Sequence, residues 1–406
     1  MQIVYERCCG LDVHKKSIVA CLITPEGKEI RTFGTMTDDI LALIDWLKSK
    51  GCTHVAMEST GVDWKPIYNL LELEEIEPMV VNAQHIKTVP GRKTDCKDAE
   101  WIAELLQHGL LKGSYIPSRE QRELRELVRY RRSLINERSR ETNRLIKVLE
   151  GGNIKLSSVV SDVRGVSGRS MIEALINGIE DPQVLSELAK GRLKSKREEL
   201  ERALRGVIGP HQRMLLSVLL EHIDFLDQQI NRLDQEIAEQ MRPFEEELTL
   251  LETIPGVGRR TAEQILAEIG TDINRFPTAA HLASWAGMCP GNNKSADKRK
   301  SGRTTKGNKS LRSTLVSASH AAARAKETYL SAQYHRIAVR RGSKRAAVAV
   351  GHSILVIVYH ILKSRQPYKE LGANYFDCRK KEAVAKQAIK KLESLGFKVN
   401  IETSVA

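Results

Sequence analysis

Apolar and polar positions in the first hundred residues follow two different periods. Residues 5–12, 17–24 and 28–34 read as three short strands joined by tight turns, the second turn being Pro25-Glu26-Gly27. Thr37 then caps a predicted helix with Asp38 and Asp39 in its first turn, and Ile40, Leu41, Ile44 and Leu47 recur at helical spacing. Residues 53–58 are strand-like, 62–75 helical and 77–81 strand-like again. Three antiparallel strands followed by alternating helix and strand predict a ribonuclease-H-like α/β domain.

The remainder is read as helical. From 118 to 149 the period is that of a helix, with nine Arg and one Lys against five acids. Arg119, Arg122, Arg125, Arg129 and Arg132 recur every three or four positions, giving one cationic face. Its functional reading is a ridge that tracks phosphates, and its plain reading a solvated helix with internal Glu–Arg pairs. Residues 151–209 pattern weakly, with Gly and Ser clusters and a charged run from Lys190 to Arg205. Leu219, Ile223, Leu226, Ile230, Leu233 and Ile237 then step by 4, 3, 4, 3 and 4, a coiled-coil seam. A single apolar stripe needs another helix to cover it, and self-association is the expectation. After Pro243, the stretch LETIPGVGRRTAEQILAE resembles a helix-hairpin-helix motif. There Gly256 and Gly258 would let the backbone approach a phosphate, with Arg259 beside them. The segment from Gly291 to Arg312 has no apolar periodicity and reads as a basic loop carrying Lys298, Arg299, Lys300, Arg303 and Lys306. Ser295, Ser301, Thr304, Thr305 and Ser310 are its candidate nucleophiles. Ala346 to Leu362 is almost wholly apolar but shorter than the ~20 residues a membrane span needs, so a buried helix is expected. A polar tail follows Gln366.

Four acids carry the chemistry. Asp12 and Glu58 close apolar strands, while Asp95 and Asp98 sit three apart in TDCKDA, on one face of a helix beginning near Thr94. An all-carboxylate set suits a hard divalent cation, Mg²⁺ with Mn²⁺ as the variant, and paired metals of this kind cut phosphodiesters. His14 and His54 have no ligand spacing, and Trp64, Trp101 and Trp285 read as helix anchors rather than base-stacking platforms.

Charge agrees with a nucleic-acid partner: 64 Lys+Arg against 51 Asp+Glu leave a net +13. Seven cysteines form no CxxC pair and no zinc spacing, which points to a reducing cytoplasm. No signal peptide or membrane anchor is expected.

These residues together resemble the DEDD-type insertion-sequence transposases of the IS-one-hundred-and-ten group, the bridge recombinases. GLDVHKK, AMEST and KTDCKDA are similar to the pieces that carry the four acids of that group's RuvC-like domain. TIPGVGRRTAEQILAEIG, FPTAAHLASWAGMCPGNNKS and GRTTKGNKSLR are similar to its C-terminal transposase domain. The resemblance implies an α/β plus α architecture: a RuvC-like domain over 1–117, a helical coiled-coil region over 118–248, a transposase domain over 249–365 and a polar tail over 366–406. It implies a nucleophilic serine a few residues past Ala286-Gly287-Met288-Cys289-Pro290, at Ser295. The group usually has small residues after that serine, and here Asp297 departs from the pattern and keeps Ser301 as the alternative. It further implies donor and target DNA, a structured guide RNA and a homo-oligomer, dimer or tetramer, as partners.

The expected reaction is attack by Ser295 on a DNA phosphodiester beside the metal held by Asp12, Glu58, Asp95 and Asp98. Nucleic acid would rest on Arg122, Arg125, Arg129, Arg132, Gly256, Gly258, Arg259, Lys298, Arg299, Lys300, Arg303 and Lys306. Two competing readings are a RuvC-like nuclease or junction resolvase without a serine intermediate, and a non-catalytic nucleic-acid scaffold.

Overall fold

A computed structural model describes residues 2–59, 61–82, 98–290, 293–295, 298–301, 304–379, 381–396 and 398. The chain divides into two compact units, Met1–Ser118 and Arg119–Ala406.

The first unit is built on a five-stranded mixed sheet. Strands β1 (Cys8–Val13), β2 (Ile18–Thr24) and β3 (Gly27–Phe33) form an antiparallel meander, and β4 (His54–Glu58) and β5 (Glu77–Val81) add to β1 in parallel, in the order β3-β2-β1-β4-β5. The arrangement is consistent with a ribonuclease-H-like domain. Alternation assigns the faces. Cys9, Leu11, Val55 and Met57 point to the side covered by α1 (Thr37–Ser49) and α2 (Trp64–Leu71), whereas Cys8 and Ala56 point to α3 (Asp98–Gln107). Helix α1 starts one residue earlier than Thr37 alone suggests, because the Asp39 carboxylate accepts from the Met36 N–H at 3.2 Å. Helix α2 ends at Leu71, four residues short of the helical pattern, and its following residues form turns.

The second unit is dominated by two long helices, α4 (Arg119–Gly151) and α8 (Pro210–Met241). The seam on α8 is covered by α4 of the same chain: Leu226, Ile230 and Leu233 pack against Leu134 and Ile135. The seam therefore does not supply an interface to a second copy, because α4 presents its own apolar positions at matching intervals. Between the two long helices lies the region that patterned weakly in sequence. Here α5 (Val166–Ile176), α6 (Pro182–Glu187) and α7 (Arg197–Ala203) close a second core around Leu156, Met171, Leu185, Leu200 and Leu204, to which α4 adds Leu145 and Leu149 and α8 adds Leu216, Leu220 and Ile223.

Beyond α8 follow α9 (Glu245–Glu252), α10 (Arg259–Ile269), α11 (Ala279–Trp285), α12 (Lys309–Ala322), α13 (Tyr329–Arg341) and α14 (Ser343–Ser364), then α15 (Lys381–Ser394) in the tail. By length and composition α14 is apolar enough to cross a membrane. It is the central helix of this core instead, with Val350, Ile354, Leu355 and Val358 fully buried among α11, α12 and α13. Between α11 and α12 the expected basic loop contains a two-stranded hairpin, β6 (Asn293–Ser295) and β7 (Lys298–Ser301). Its strands are Lys, Arg, Asn and Ser throughout, so no apolar alternation announces them.

Candidate functional site

Two acids stand side by side at the C-terminal ends of neighbouring strands in the middle of the sheet. The parallel β1–β4 ladder ends with Leu11 opposite Met57, and Asp12 and Glu58 are the next residues on those neighbouring strands. With side chains alternating, Asp12 shares the face of Cys8 and Gly10, and Glu58 that of Ala56, which is the face α3 covers. Gly10 sets how close α3 comes. A Cβ there would stand 2.3 Å from the Ala99 carbonyl oxygen and 2.4 Å from the Ala103 nitrogen, so the helix backbone lies directly on the strand. Ala99 follows Asp98, the first residue of α3, and the close packing thus brings the Asp98 end of the helix to the Asp12 end of β1. Sequence reasoning passed over Gly10, although the Gly-Leu-Asp triplet carries the signal.

The Asp12 carboxylate is a quarter exposed and lies 3.1 Å from His14 Nε2 in the β1–β2 turn. Lys28 on β3 clamps α3 by donating to Glu100 and, at 2.9 Å, to Glu104; partial burial works against its charge, but the two carboxylates raise its pKa. Asp95 lies outside the described residues. Among the described residues no three His, Cys, Asp or Glu side chains converge on one point. Asp12, Glu58 and Asp98 are nonetheless an oxygen-only set at one end of the central strands and of α3, the donor chemistry that suits a hard divalent cation. The nearby thiols are spectators: burial pushes Cys8 and Cys52 up to about 12 and Cys21 to about 11. His54 opens β4, 3.3 Å from Glu77 and with its ring tilted against that of Tyr5, in keeping with a strand-edge role. Trp64 and Trp285 likewise pack on Tyr68 and Phe276.

Ser295 is the last residue of β6 and pairs with Lys298, while Ser301, at the far end of β7, pairs with Asn293. The two serines therefore occupy opposite ends of the hairpin, Ser295 at its turn and Ser301 at its root. The root is locked by backbone. Pro290 bridges Thr304, and the Thr305 N–H donates to the Cys289 carbonyl at 3.2 Å. Gly287 has φ +68°, and a side chain there would strike the Gly307 nitrogen and the Thr305 oxygen at 2.8 Å; one on Gly307 would strike the Gly287 nitrogen at 2.3 Å. Buried Ala286 and Met288 fasten this crossing to the helical core. Lys298, Arg299 and Lys300 lie on β7, Lys306 is exposed, and Arg303 lies outside the described residues, as does Asp297.

Between Arg125 and Arg132 the arginine face of α4 is engaged by neighbouring helices, which corrects the expectation of an open phosphate ridge there. Arg125 donates to the Ala267 and Glu268 carbonyls at 3.3 and 2.6 Å, Arg129 grips the Glu268 carboxylate at 2.7 and 2.8 Å, and Arg132 donates to Thr314 and, at 2.7 Å, to Ser313. Arg131 is 1% exposed between Asp234 at 2.8 Å and Glu263 at 2.7 Å, the latter an ion contact rather than an aligned hydrogen bond. Arg122 is half-buried. Periodicity locates such a face but cannot say whether a neighbouring helix or a ligand will occupy it.

Within the Pro255–Gly258 turn the two glycines differ. Gly256 has φ +88°, and a Cβ would lie 2.5 Å from the Ala318 oxygen and from the Ala322 nitrogen, so its absent side chain admits α12 rather than a phosphate. Gly258 meets nothing within 4 Å and opens α10. Arg259 is held by Glu245 at 2.6 Å, with Glu263 at 3.3 Å and Glu252 at 3.8 Å. Other cations do stand exposed without a carboxylate partner among the described residues: Lys190, Arg192, Lys194 and Arg197 around the turn Gly191–Lys196, and Arg340, Arg341, Lys344 and Arg345 where α13 meets α14.

Two family profiles match this chain. One, described as transposase, covers residues 9–154 and so spans all four acids; the other, described as transposase of the IS116/IS110/IS902 family, covers 248–335 and spans both hairpin serines. The transposase for insertion sequence element IS1111A of Coxiella burnetii is 25% identical over 89% of this chain and 90% of its own length. A probable family 20 transposase of Pseudomonas aeruginosa is 24% identical over 78% of this chain and 85% of its own. The pilin gene-inverting protein of Moraxella bovis is 29% identical over 30% of this chain and 38% of its own.

Proposed function

This chain belongs to the IS110 family of transposases and is a DNA-processing enzyme, and from that premise we propose that it excises and inserts a mobile DNA element through a serine-linked intermediate. The DEDD domain implies use of a divalent metal. Asp12, Glu58, Asp95 and Asp98 would hold it as Mg²⁺, with Mn²⁺ as the substitute, and a cation so held neutralises charge on the scissile phosphate.

Ser295 carries the chemistry in this proposal. Its hydroxyl oxygen attacks phosphorus, the bond to the 3′ oxygen breaks, and that oxygen leaves as a 3′ hydroxyl with the proton the serine gives up. The strand's 5′ phosphate is then esterified to the protein. A 3′ hydroxyl of the other DNA attacks the same phosphorus, forming the recombinant linkage and returning the proton to the serine. The observation that carries this reading is the hairpin: a serine ending β6 and paired with Lys298 of the basic strand β7, in a hairpin whose root is fixed by the Gly287–Gly307 crossing. A serine on a hairpin with a fixed root and a basic partner strand is suited to a charged, in-line displacement.

The proposal includes donor and target DNA read mainly through a guide RNA, with the protein supplying phosphate contacts rather than base readout. The net +13 and the exposed Lys190–Arg197 and Arg340–Arg345 groups support it, together with Lys298, Arg299, Lys300, Arg303 and Lys306. It also includes the domain division at 117, 248 and 365, the cytoplasm as workplace and a homo-oligomer. With the α4-facing seam occupied, support for self-association moves to the opposite side of α8. There Met214, Leu215, Val218 and Phe225 are 71, 49, 53 and 54% exposed. Met214, Val218, Glu221 and Phe225 step by 4, 3 and 4, the spacing that another copy of this helix fits.

The direct test incubates the full chain with DNA carrying the ends of its own element and the RNA transcribed from the flanking non-coding stretch. Ser295→Ala abolishes a protease-sensitive protein–DNA conjugate; a conjugate that survives this change assigns the role to another hydroxyl. DNA cut with no conjugate in the unaltered protein favours the nuclease reading.

A further inference from the structure

Glu268 lies near the end of the buried face of α10 with its side chain 2% exposed, and three side chains from two other elements converge on it. Arg129 of α4 donates twice, at 2.7 and 2.8 Å, Arg125 of α4 lies 3.3 Å away, and Asn308 donates its Nδ2 hydrogen at 2.6 Å. Burial alone would favour the neutral acid; the Arg129 guanidinium, then Asn308 and Arg125, overcome it and hold the carboxyl below its usual range. An apolar side chain would fill this place at lower desolvation cost, so what the carboxylate adds is direction.

Asn308 uses both ends of its amide. Its Oδ1 accepts from the Leu311 N–H at 3.0 Å and caps α12, while its nitrogen reaches Glu268. It follows Gly307, the glycine jammed against Gly287 at the hairpin root. The chain leaving β7 is thus fixed at three consecutive levels, by the Pro290–Thr304 bridge, the glycine crossing and the Asn308 amide.

We infer that Glu268 and Asn308 are a positioning pair for the serine hairpin, setting the root on the arginine helix so that the hydroxyl at its turn meets the phosphodiester in line. The inference rests on the serine reading above. Neither residue touches DNA in this account; they act through the root.

The test separates capping from positioning. Asn308→Ser keeps an N-cap oxygen but loses the donor to Glu268, Asn308→Ala loses both, and the double change Glu268→Gln with Asn308→Asp restores the hydrogen bond in the opposite sense. Conjugate formation is timed at saturating DNA, alongside DNA affinity and the thermal midpoint. Expected for Asn308→Ser is a rate about tenfold or more lower, with affinity within about twofold and the midpoint close to that of the unaltered chain. The double variant recovers most of the rate, which a merely structural role does not predict. The inference is overturned by an Asn308→Ser protein that forms conjugate at the full rate, by a rate that falls only in step with affinity or the midpoint, or by a double variant no faster than Glu268→Gln or Asn308→Asp made singly. Survival of the conjugate in Ser295→Ala sinks the serine reading and the inference with it, whereas full-rate Asn308→Ser beside an inert Ser295→Ala sinks only the pair.

Discussion

Gly10 has no room for a side chain, and that single fact ties the two acids at the ends of the central strands to the helix that carries Asp98. Gly10→Ala would drive a methyl into the α3 backbone, so the helix must lift or the strand must bend. The expected loss is about 1–3 kcal/mol in the stability of the first unit, read from its denaturant midpoint. An unchanged midpoint would mean that the strand and helix do not touch. Glu268 gives a pH signature. Its folded pKa lies below the usual 4.5, so its contribution is complete above that value and is lost as pH falls through the folded one. The gap in thermal midpoint between the unaltered chain and Glu268→Gln should therefore hold steady above about pH 5 and narrow on further acidification. A gap that stays constant down to about pH 3 contradicts the assignment.

Among the elements, those with strong periodicity were readable and those without it were not. Strand β3 is read from the turn before it, whereas β1, β2 and β4 announce themselves as short apolar runs buried on both faces, and the α4 and α8 helices as apolar stripes at helical spacing. The β6–β7 hairpin does not, since every residue in it is polar, and the acids at 95 and 98 were placed by their spacing rather than by any fold signal. Gly256 and the arginines at 125, 129 and 132 show a second limit. Composition marks a close approach or a cationic face, and only the neighbouring helix reveals that α12 and α10 fill it. The two sides of α8 make opposite predictions. Ile230→Ala opens a cavity under α4 and should cost about 2–5 kcal/mol. Phe225→Ser, on the exposed side, should change monomer stability by less than about 0.5 kcal/mol while weakening self-association in sedimentation equilibrium. A dimer indifferent to Phe225→Ser would move the interface elsewhere.

At the scale of the whole molecule, a net charge of +13 matters through where unpaired cations stand. Replacing Lys190, Arg192, Lys194 and Arg197 together by Ala should weaken binding uniformly across DNA sequences. It should also make the plot of log affinity against log salt shallower by roughly 1 for each phosphate that these cations no longer neutralise. An unaltered slope in an anisotropy titration over a salt series removes that turn from the interface. The central claim is that a serine at the turn of a root-locked hairpin becomes joined to DNA. It is tested most directly by trapping the conjugate in the presence of Mg²⁺, digesting protein and DNA, and locating the modified residue by mass spectrometry. The account predicts a nucleotide phosphate esterified to Ser295; the same adduct on Ser301 or any other side chain, or cleaved DNA with none, contradicts it.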